Sequence, residues 1–404
     1  MKTKRYHQKY TLFFVLLLIH LFIEIVCGFT PQQYRIVNAE NDMQTSASDQ
    51  LNEEINELLD KLDLNDLQEY IRSISSISED SVKERLLEYI RGAKFDYETF
   101  GAQIMDILFK NIVDILPAFA CIAAIALLSG VINTIQAGTT VRTSAEMTFL
   151  IAYGAALIPL IAVLVECFEK VLGSMGEMQT QMQIIYPLML TLMAASGGTL
   201  SVSICRPAVA FFSTTIVSVI NGIVLPLTVT VIAFSMASNL SKELKINKFT
   251  AFFKSINKWI IGVCISVFGL FFTLQGITAA TYDGVARRAA KYAIGNGIPI
   301  VGGFLSGGFD LAIAGSILIK NSLGSMSIFL MISVLFEPIA LLLSITVLLR
   351  FTAAVAQPFG DNRISDFLGE TADNLQYCTA GLLLTAFLYF LSIMLFVSAT
   401  EVLF

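Results

Sequence analysis

QGITAATYDGVARRAAKYAIGNGIPIVGGFLSGGFDLAIAGSILIKNSLG, residues Gln275–Gly324, decides how this chain is read. Its background is strongly apolar, yet it holds the glycine pairs Gly302-Gly303 and Gly307-Gly308, the proline Pro299 and six ionisable residues. Those six are Asp283, Arg287, Arg288, Lys291, Asp310 and Lys320. A charge at membrane depth is costly, and non-helical backbone there is tolerated only inside protein or beside a water-filled cavity. A stretch that accepts both costs is the first candidate for the working part of the molecule. The segment 296–318 is expected to be a broken or re-entrant helix.

Outward from it, the composition agrees with a membrane setting. Of 404 residues, 55% are hydrophobic and 14% charged, and the mean hydropathy is +0.72. Soluble domains carry about 25% charged residues. The net charge of −6 is unevenly spread. Residues 1–39 are basic, residues 40–98 hold 16 acids against 6 bases, and residues 99–404 hold 15 of each. The acidic balance therefore belongs to one short segment, which argues against nucleic acid as a partner. The two histidines, His7 and His20, both lie in the leader, so the rest of the chain has no imidazole for a Ser-His nucleophile or a zinc site. Six cysteines are scattered with no C-x-x-C pair, and we assign them neither disulfide nor metal.

Residues 1–39 read as a secretory signal, with basic MKTKRYHQKY ahead of apolar TLFFVLLLIHLFIEIVCG. Small residues suit cleavage after Gly28 or after Ala39; the alternative is an uncleaved first transmembrane helix. Both versions place residues 40–98 outside the cytoplasm as a small helical segment. Leu51, Ile55, Leu58, Leu59 and Leu62 recur at helical spacing, as do Val82, Leu86, Leu87 and Ile90. SISSISEDS separates the two runs, and Asp80 or Ser78 is the expected cap of the second. This hairpin either docks on a partner or is a solvated lead-in.

Residues 99–404 form the expected polytopic membrane domain. The fold class is all-α, a transmembrane helical bundle of seven to eight spans, one or two of them broken. Candidate spans are 112–136, 146–168, 184–204, 208–238, 258–280, 296–318, 324–349 and 377–404. A shift of 112 residues lays 146–238 on 258–350 and brings Pro187 onto Pro299 and Pro226 onto Pro338. Two such units would be inverted repeats of the kind many transporters use; coincidence is the competing explanation. Lysines and arginines divide evenly between the two sides, so the positive-inside rule leaves the orientation to the signal sequence.

The polar residues at depth have functional and structural readings side by side. Asp310 is a proton carrier, a cation ligand, the cap of a half-helix starting near Leu311, or the partner of Lys320. With Asp283 it falls short of an intramembrane aspartyl protease, because Phe309 precedes it and Asp283 belongs at a span end. Arg287, Arg288 and Lys291 suit anionic headgroups or a partner's acidic surface. Lys320 is placed to snorkel to the interface, with Asn321 capping a turn. Glu337, ahead of the kinking Pro338, needs a base such as Arg350 or Lys320 if buried. No P-loop, Walker B element or dinucleotide fingerprint is present, so no cofactor is called for and any energy source is a gradient or another subunit.

GITAATYDGVARRAAKYAIGNGIPIVGGFLSGGFDLAIAGSILIKNSLG, followed by AQPFGDNRISDFLGE (Ala356–Glu370), resembles the stage III sporulation protein AE family of endospore-forming bacteria. The resemblance rests on Ile298–Gly303, Asp310, Ile319–Gly324 and Gln357–Ile364, and fits a signal, a short extracytoplasmic region and a polytopic domain over nearly the whole chain. It implies a subunit of the multiprotein channel between mother cell and forespore, set in the outer forespore membrane. Other membrane subunits of its operon and a secretion-type ATPase would be its partners. It supplies no catalytic residues.

The expected function is thus a non-enzymatic, permease-like membrane subunit of a transenvelope complex. A stand-alone ion-coupled transporter and a structural scaffold of that complex are the alternatives.

Overall fold

A computed structural model describes residues 41–74, 81–91, 97–136, 142–198, 202–203, 215–240, 246–297, 302–358 and 362–398. The leader 1–39 and Pro299 lie outside the described residues. Among those described there is no strand. The helices are α1 (Asn41–Lys61), α2 (Asn65–Ile74), α3 (Val82–Ile90), α4 (Tyr97–Gln136), α5 (Arg142–Ala195), α6 (Thr215–Leu240), α7 (Asn247–Gly297), α8 (Gly302–Ala356) and α9 (Asn362–Ser398). Helices close their own backbone hydrogen bonds, which is what an apolar chain at membrane depth must do.

Six of the described helices, α4 to α9, are long and apolar enough to cross a membrane. The expected seven to eight separate spans are corrected here in one respect: two pairs of them are fused. Segments 146–168 and 184–195 belong to the single 54-residue helix α5, and 302–318 and 324–349 to the 55-residue α8. Each such helix is about 80 Å long, over twice the hydrocarbon thickness of a bilayer. Gly302, Gly303, Gly307 and Gly308 therefore lie in the first turns of an unbroken helix, and Asp310 is within it rather than ahead of it. A glycine costs about 1 kcal/mol in a helix, less than an open backbone group at depth would. The described part of α7 runs to Gly297 and that of α8 starts at Gly302.

The 112-residue shift lays 146–168 of α5 on 258–280 of α7, helix on helix. Pro187 sits inside α5, and its counterpart Pro299 lies outside the described residues. α6 falls in the same way on the second half of α8.

α8 and α9 form an antiparallel central pair. Ser365 Oγ donates to Ala353 O at 2.9 Å at one end, and Lys320 Nζ to Val397 O at 2.8 Å at the other. α5 runs parallel to α9, with Tyr153 edge-on to Phe367 and Tyr186 edge-on to Phe396. α6 covers the far side of α9, and α7 packs on α6 through Phe234 and Phe253. Of the most apolar stretch of α9, 72% is buried, against 11% in α7. α9 is thus the core helix, and over Asn247–Phe271 α7 presents most of its surface outward, including Trp259 and Leu270.

α5 changes character along its length. Its first half exposes Ile151, Ile158 and Val165. Its second half exposes Glu177, Thr180, Gln183 and Thr191, and buries Met182, Ile185, Met189 and Leu192. Most large apolar side chains of the run expected as span 184–204 are therefore covered by protein as far as Met193.

Helices α1 to α3 pack on one another and on α8. Leu59, Leu67, Ile71 and Leu86 are buried, and Val82 N–H donates to Gln68 Oε1 at 2.7 Å. The cap of α3 is Ser81, not Asp80 or Ser78. Its hydroxyl accepts from Glu84 N–H while Glu84 accepts from Ser81 N–H, so both open donors are satisfied reciprocally. The apolar face of this small unit docks on its own chain: a Cβ at Gly315 of α8 would stand 3.1 Å from Leu58.

Candidate functional site

The buried polar groups with the most at stake lie at two levels along α8, one facing α9 and the other facing α5 and α2. Lys320, on α8, is fully buried, and its ammonium donates to the carbonyl of Val397 in the last turn of α9. The final carbonyls of a helix lack intrahelical partners and carry the negative end of its dipole, so a cation there is favourable. One turn further along α8, Gly324 lets the two backbones close up. A Cβ at that position would stand 2.7 Å from Val397 Cγ2. Tyr186 lines the same region from α5, edge-on to Phe396 at 5.3 Å and to Tyr389 at 6.0 Å.

On the α2 side, Gln181 of α5 is fully buried. Its amide N–H groups donate to the Tyr70 hydroxyl at 2.8 Å and to Leu330 O at 3.2 Å. One side chain thereby joins the N-terminal unit to both α5 and α8. Burial pushes the Tyr70 hydroxyl up to about 12, with the Gln181 bond acting against the rise and Glu177 adding to it. Hydroxyl, amide and ammonium groups positioned this way hold helices in register. Among the described residues no group of His, Cys, Asp and Glu gathers as a metal site.

The residues singled out by sequence are dispersed. Lys320 does not snorkel: its tip finds a helix end inside the protein rather than the interface. Asn321 is beside it and half-buried. Asp310 is exposed, and about 15 Å of helix axis separates it from Lys320, so the two do not pair. Glu337 is also exposed, and its base is neither Arg350 nor Lys320 but Lys170, at 3.1 Å. Arg350 pairs with Asp373 at 3.0 Å. Asp283, Arg287, Arg288 and Lys291 are on the backbone of α7, their side chains outside the described residues.

Gln181 and Tyr70 were not among the expected residues. A signal was available for Gln181: it falls on the face that Met178, Met182 and Ile185 mark as core. An amide on such a face needs a partner.

Helices long enough to cross a bilayer several times, closed around a buried cation, define a helical multi-pass membrane protein. The chain belongs to the stage III sporulation protein AE family, whose sequence model it matches over residues 81–400. It is 24% identical over 321 residues to the stage III sporulation protein AE of Bacillus subtilis (strain 168), covering 79% of this chain and 80% of that one. No solved structure matches it. Family membership supports a role in sporulation.

Proposed function

We propose that the chain is a non-enzymatic, permease-like membrane subunit of a multiprotein transenvelope complex between mother cell and forespore. The carrying observation is the family match over residues 81–400, which takes in every helix from α3 to α9. Its partners in this reading are the other membrane subunits of the same operon and a secretion-type ATPase. Its place is the mother-cell membrane around the forespore, with residues 40–98 on the extracytoplasmic side. The apolar face of α1 to α3 is taken up by α8, so partner contact would fall to the outer face, where Glu53, Glu57, Asp66 and Glu69 are exposed.

The test is a clean deletion with affinity-tagged complementation. The expected result is a block confined to sporulation, and recovery of the operon's membrane subunits and the ATPase with the tagged protein. A growth or ion-homeostasis defect in vegetative cells, with none of those subunits recovered, would point to a stand-alone transporter and end the proposal.

A second reading, a structural scaffold of the same complex, is favoured by one observation. Lys320 is spent on tying α8 to α9 rather than facing a path with Asp310. Asp310→Asn separates the two. Loss of sporulation with normal abundance and partner recovery supports a polar path through Asp310; normal sporulation supports the scaffold.

A further inference from the structure

The inward face of α6 alternates between polar and apolar positions at heptad spacing. Asn221, Thr228 and Ser235 are separated by Leu225 and Ile232. Neighbouring helices complete two of these polar levels. Asn257 of α7 donates its amide N–H to Thr228 Oγ1 at 3.1 Å, and Asn374 of α9 donates to Ser235 Oγ at 3.3 Å. Thr228 gives its own proton to Val224 O at 2.7 Å, so toward Asn257 it can only accept. That fixes the orientation of the Asn257 amide and leaves its oxygen without this partner.

The Oδ1 atoms of Asn221, Asn257 and Asn374 are all buried, and none receives a hydrogen bond from the described residues. Asn257 and Asn374 are fully buried residues. At the first level α6 is wound as a π-turn over Ile220–Val224, with Leu225 N–H reaching back to Ile220 O. Such wide turns gather at functional positions in helices. An acceptor shut away from water with no donor carries a desolvation cost that no bond offsets. Three at one heptad spacing along a single seam form a pattern rather than a stray defect. Buried polar groups of this kind are ordinarily satisfied by bound water.

We propose that this seam is occupied: each level holds an electron-poor guest, either a water molecule or a monovalent cation, on the asparagine oxygens. Leu225 and Ile232 are the apolar partitions between levels, and such constrictions close a polar route by dewetting. The inference rests on the permease-like reading and deepens it by adding a polar seam at the α6–α7–α9 interface.

The test uses the purified full-length protein in lipid nanodiscs. Radiolytic footprinting generates hydroxyl radicals from bound water and modifies the side chains beside it, even buried ones. Leu225 and Ile232 should be modified several-fold more than Ile122, an equally enclosed residue on α4 away from the seam. In Asn257→Leu/Asn374→Leu the excess should vanish while the protein stays monodisperse. A thermal midpoint higher in sodium chloride than in choline chloride at equal ionic strength, and lost in the double variant, assigns the guest as a cation. The footprint without that ion dependence assigns it as water. Wild-type Leu225 and Ile232 modified no more than Ile122, with no ion dependence, would overturn the proposal. That outcome leaves the family role intact, since neither measurement depends on sporulation.

Discussion

The ammonium of Lys320 and the carbonyl of Val397, 2.8 Å apart, tie α8 to the last turn of α9 at a point sealed from solvent. The carbonyl belongs to the helix end where backbone acceptors are left over, so the lysine answers an acceptor that nothing within α9 can satisfy. Lys320→Met keeps much of the stem's packing and removes the donor. A hydrogen bond to a charged group contributes about 1.5–3 kcal/mol, and a loss of that order is expected. Hydrogen exchange over 390–398 should accelerate, and the thermal midpoint in detergent should fall. Unchanged exchange there would mean the contact carries no stability.

Tyr70 and Gln181 make the corresponding tie on the other side of α5. Tyr70→Phe leaves the Gln181 amide with Leu330 O alone and should cost about 1 kcal/mol. Gln181→Leu should cost more singly, since it also releases Leu330 O, and the two substitutions together should be less than additive. A double-mutant cycle on the thermal midpoint, with hydrogen exchange over 51–90, reads the coupling. Strict additivity would mean that the Tyr70–Gln181 bond does not hold the N-terminal unit down.

The same bond predicts an alkaline limit. Burial of the Tyr70 hydroxyl first, then the Gln181 bond opposing it and Glu177 reinforcing it, leave its folded value raised to about 12. In the unfolded chain a tyrosine titrates near about 10. The folded state thus holds this proton more tightly. Its contribution is fully present below about pH 10 and is lost as pH rises toward about 12. Thermal melts should show wild type losing stability across that window more steeply than Tyr70→Phe, which has no proton to lose. Parallel slopes would remove Tyr70 as the titrating group.

How much of this was legible in the chain follows from where each partner lies. The apolar runs and their helical period required only local sequence, and they give the helical class. Local sequence also held the cap of α3, since Ser81 and Glu84 have the S-x-x-E spacing of a reciprocal pair, a stronger signal than the isolated Asp80. Hydropathy cannot distinguish a stretch covered by lipid from one covered by protein. For that reason 184–195 read as a separate span, although most of its large apolar side chains are buried against protein. That Glu337 needs a base was readable; that the base is Lys170 depends on how α5 lies along α8. The burial of Lys320 likewise depends on a carbonyl 77 residues away.

Lys170 and Glu337 invite over-reading as a functional pair. Both are substantially exposed, and Lys170 also faces Glu166 at 3.5 Å. Exposed pairs contribute about 0–1 kcal/mol and weaken with salt. Glu337→Gln should therefore leave the thermal midpoint within about 2 °C of wild type, a shift matching a few tenths of a kcal/mol. A large loss would show that the pair is shielded by an unseen partner and would make it a candidate contact within the complex.

Glycine in α8 and α9 has a sharper test, because two positions differ in kind from the rest. A methyl group at Gly324 would stand 2.7 Å from Val397 Cγ2, and one at Gly381 would stand 2.9 Å from Ile220 Cγ2. Both neighbours are β-branched and stiff at χ1, so neither can swing aside as a longer chain would. Overpacking of this sort costs about 1–3 kcal/mol. Gly154, by contrast, has nothing within 4 Å of a Cβ. Gly324→Ala should therefore lower the thermal midpoint, and Gly154→Ala should leave it level or raise it through helix propensity, by up to about 1 kcal/mol. Val397→Ala removes the offending methyl group while keeping the backbone carbonyl that Lys320 needs. Gly324→Ala/Val397→Ala should thus recover part of the loss, giving a favourable coupling between the two sites. Destabilisation by Gly324→Ala that Val397→Ala deepens instead would mean that the α8–α9 approach is set elsewhere, and that Lys320 holds two helices whose spacing Gly324 does not decide.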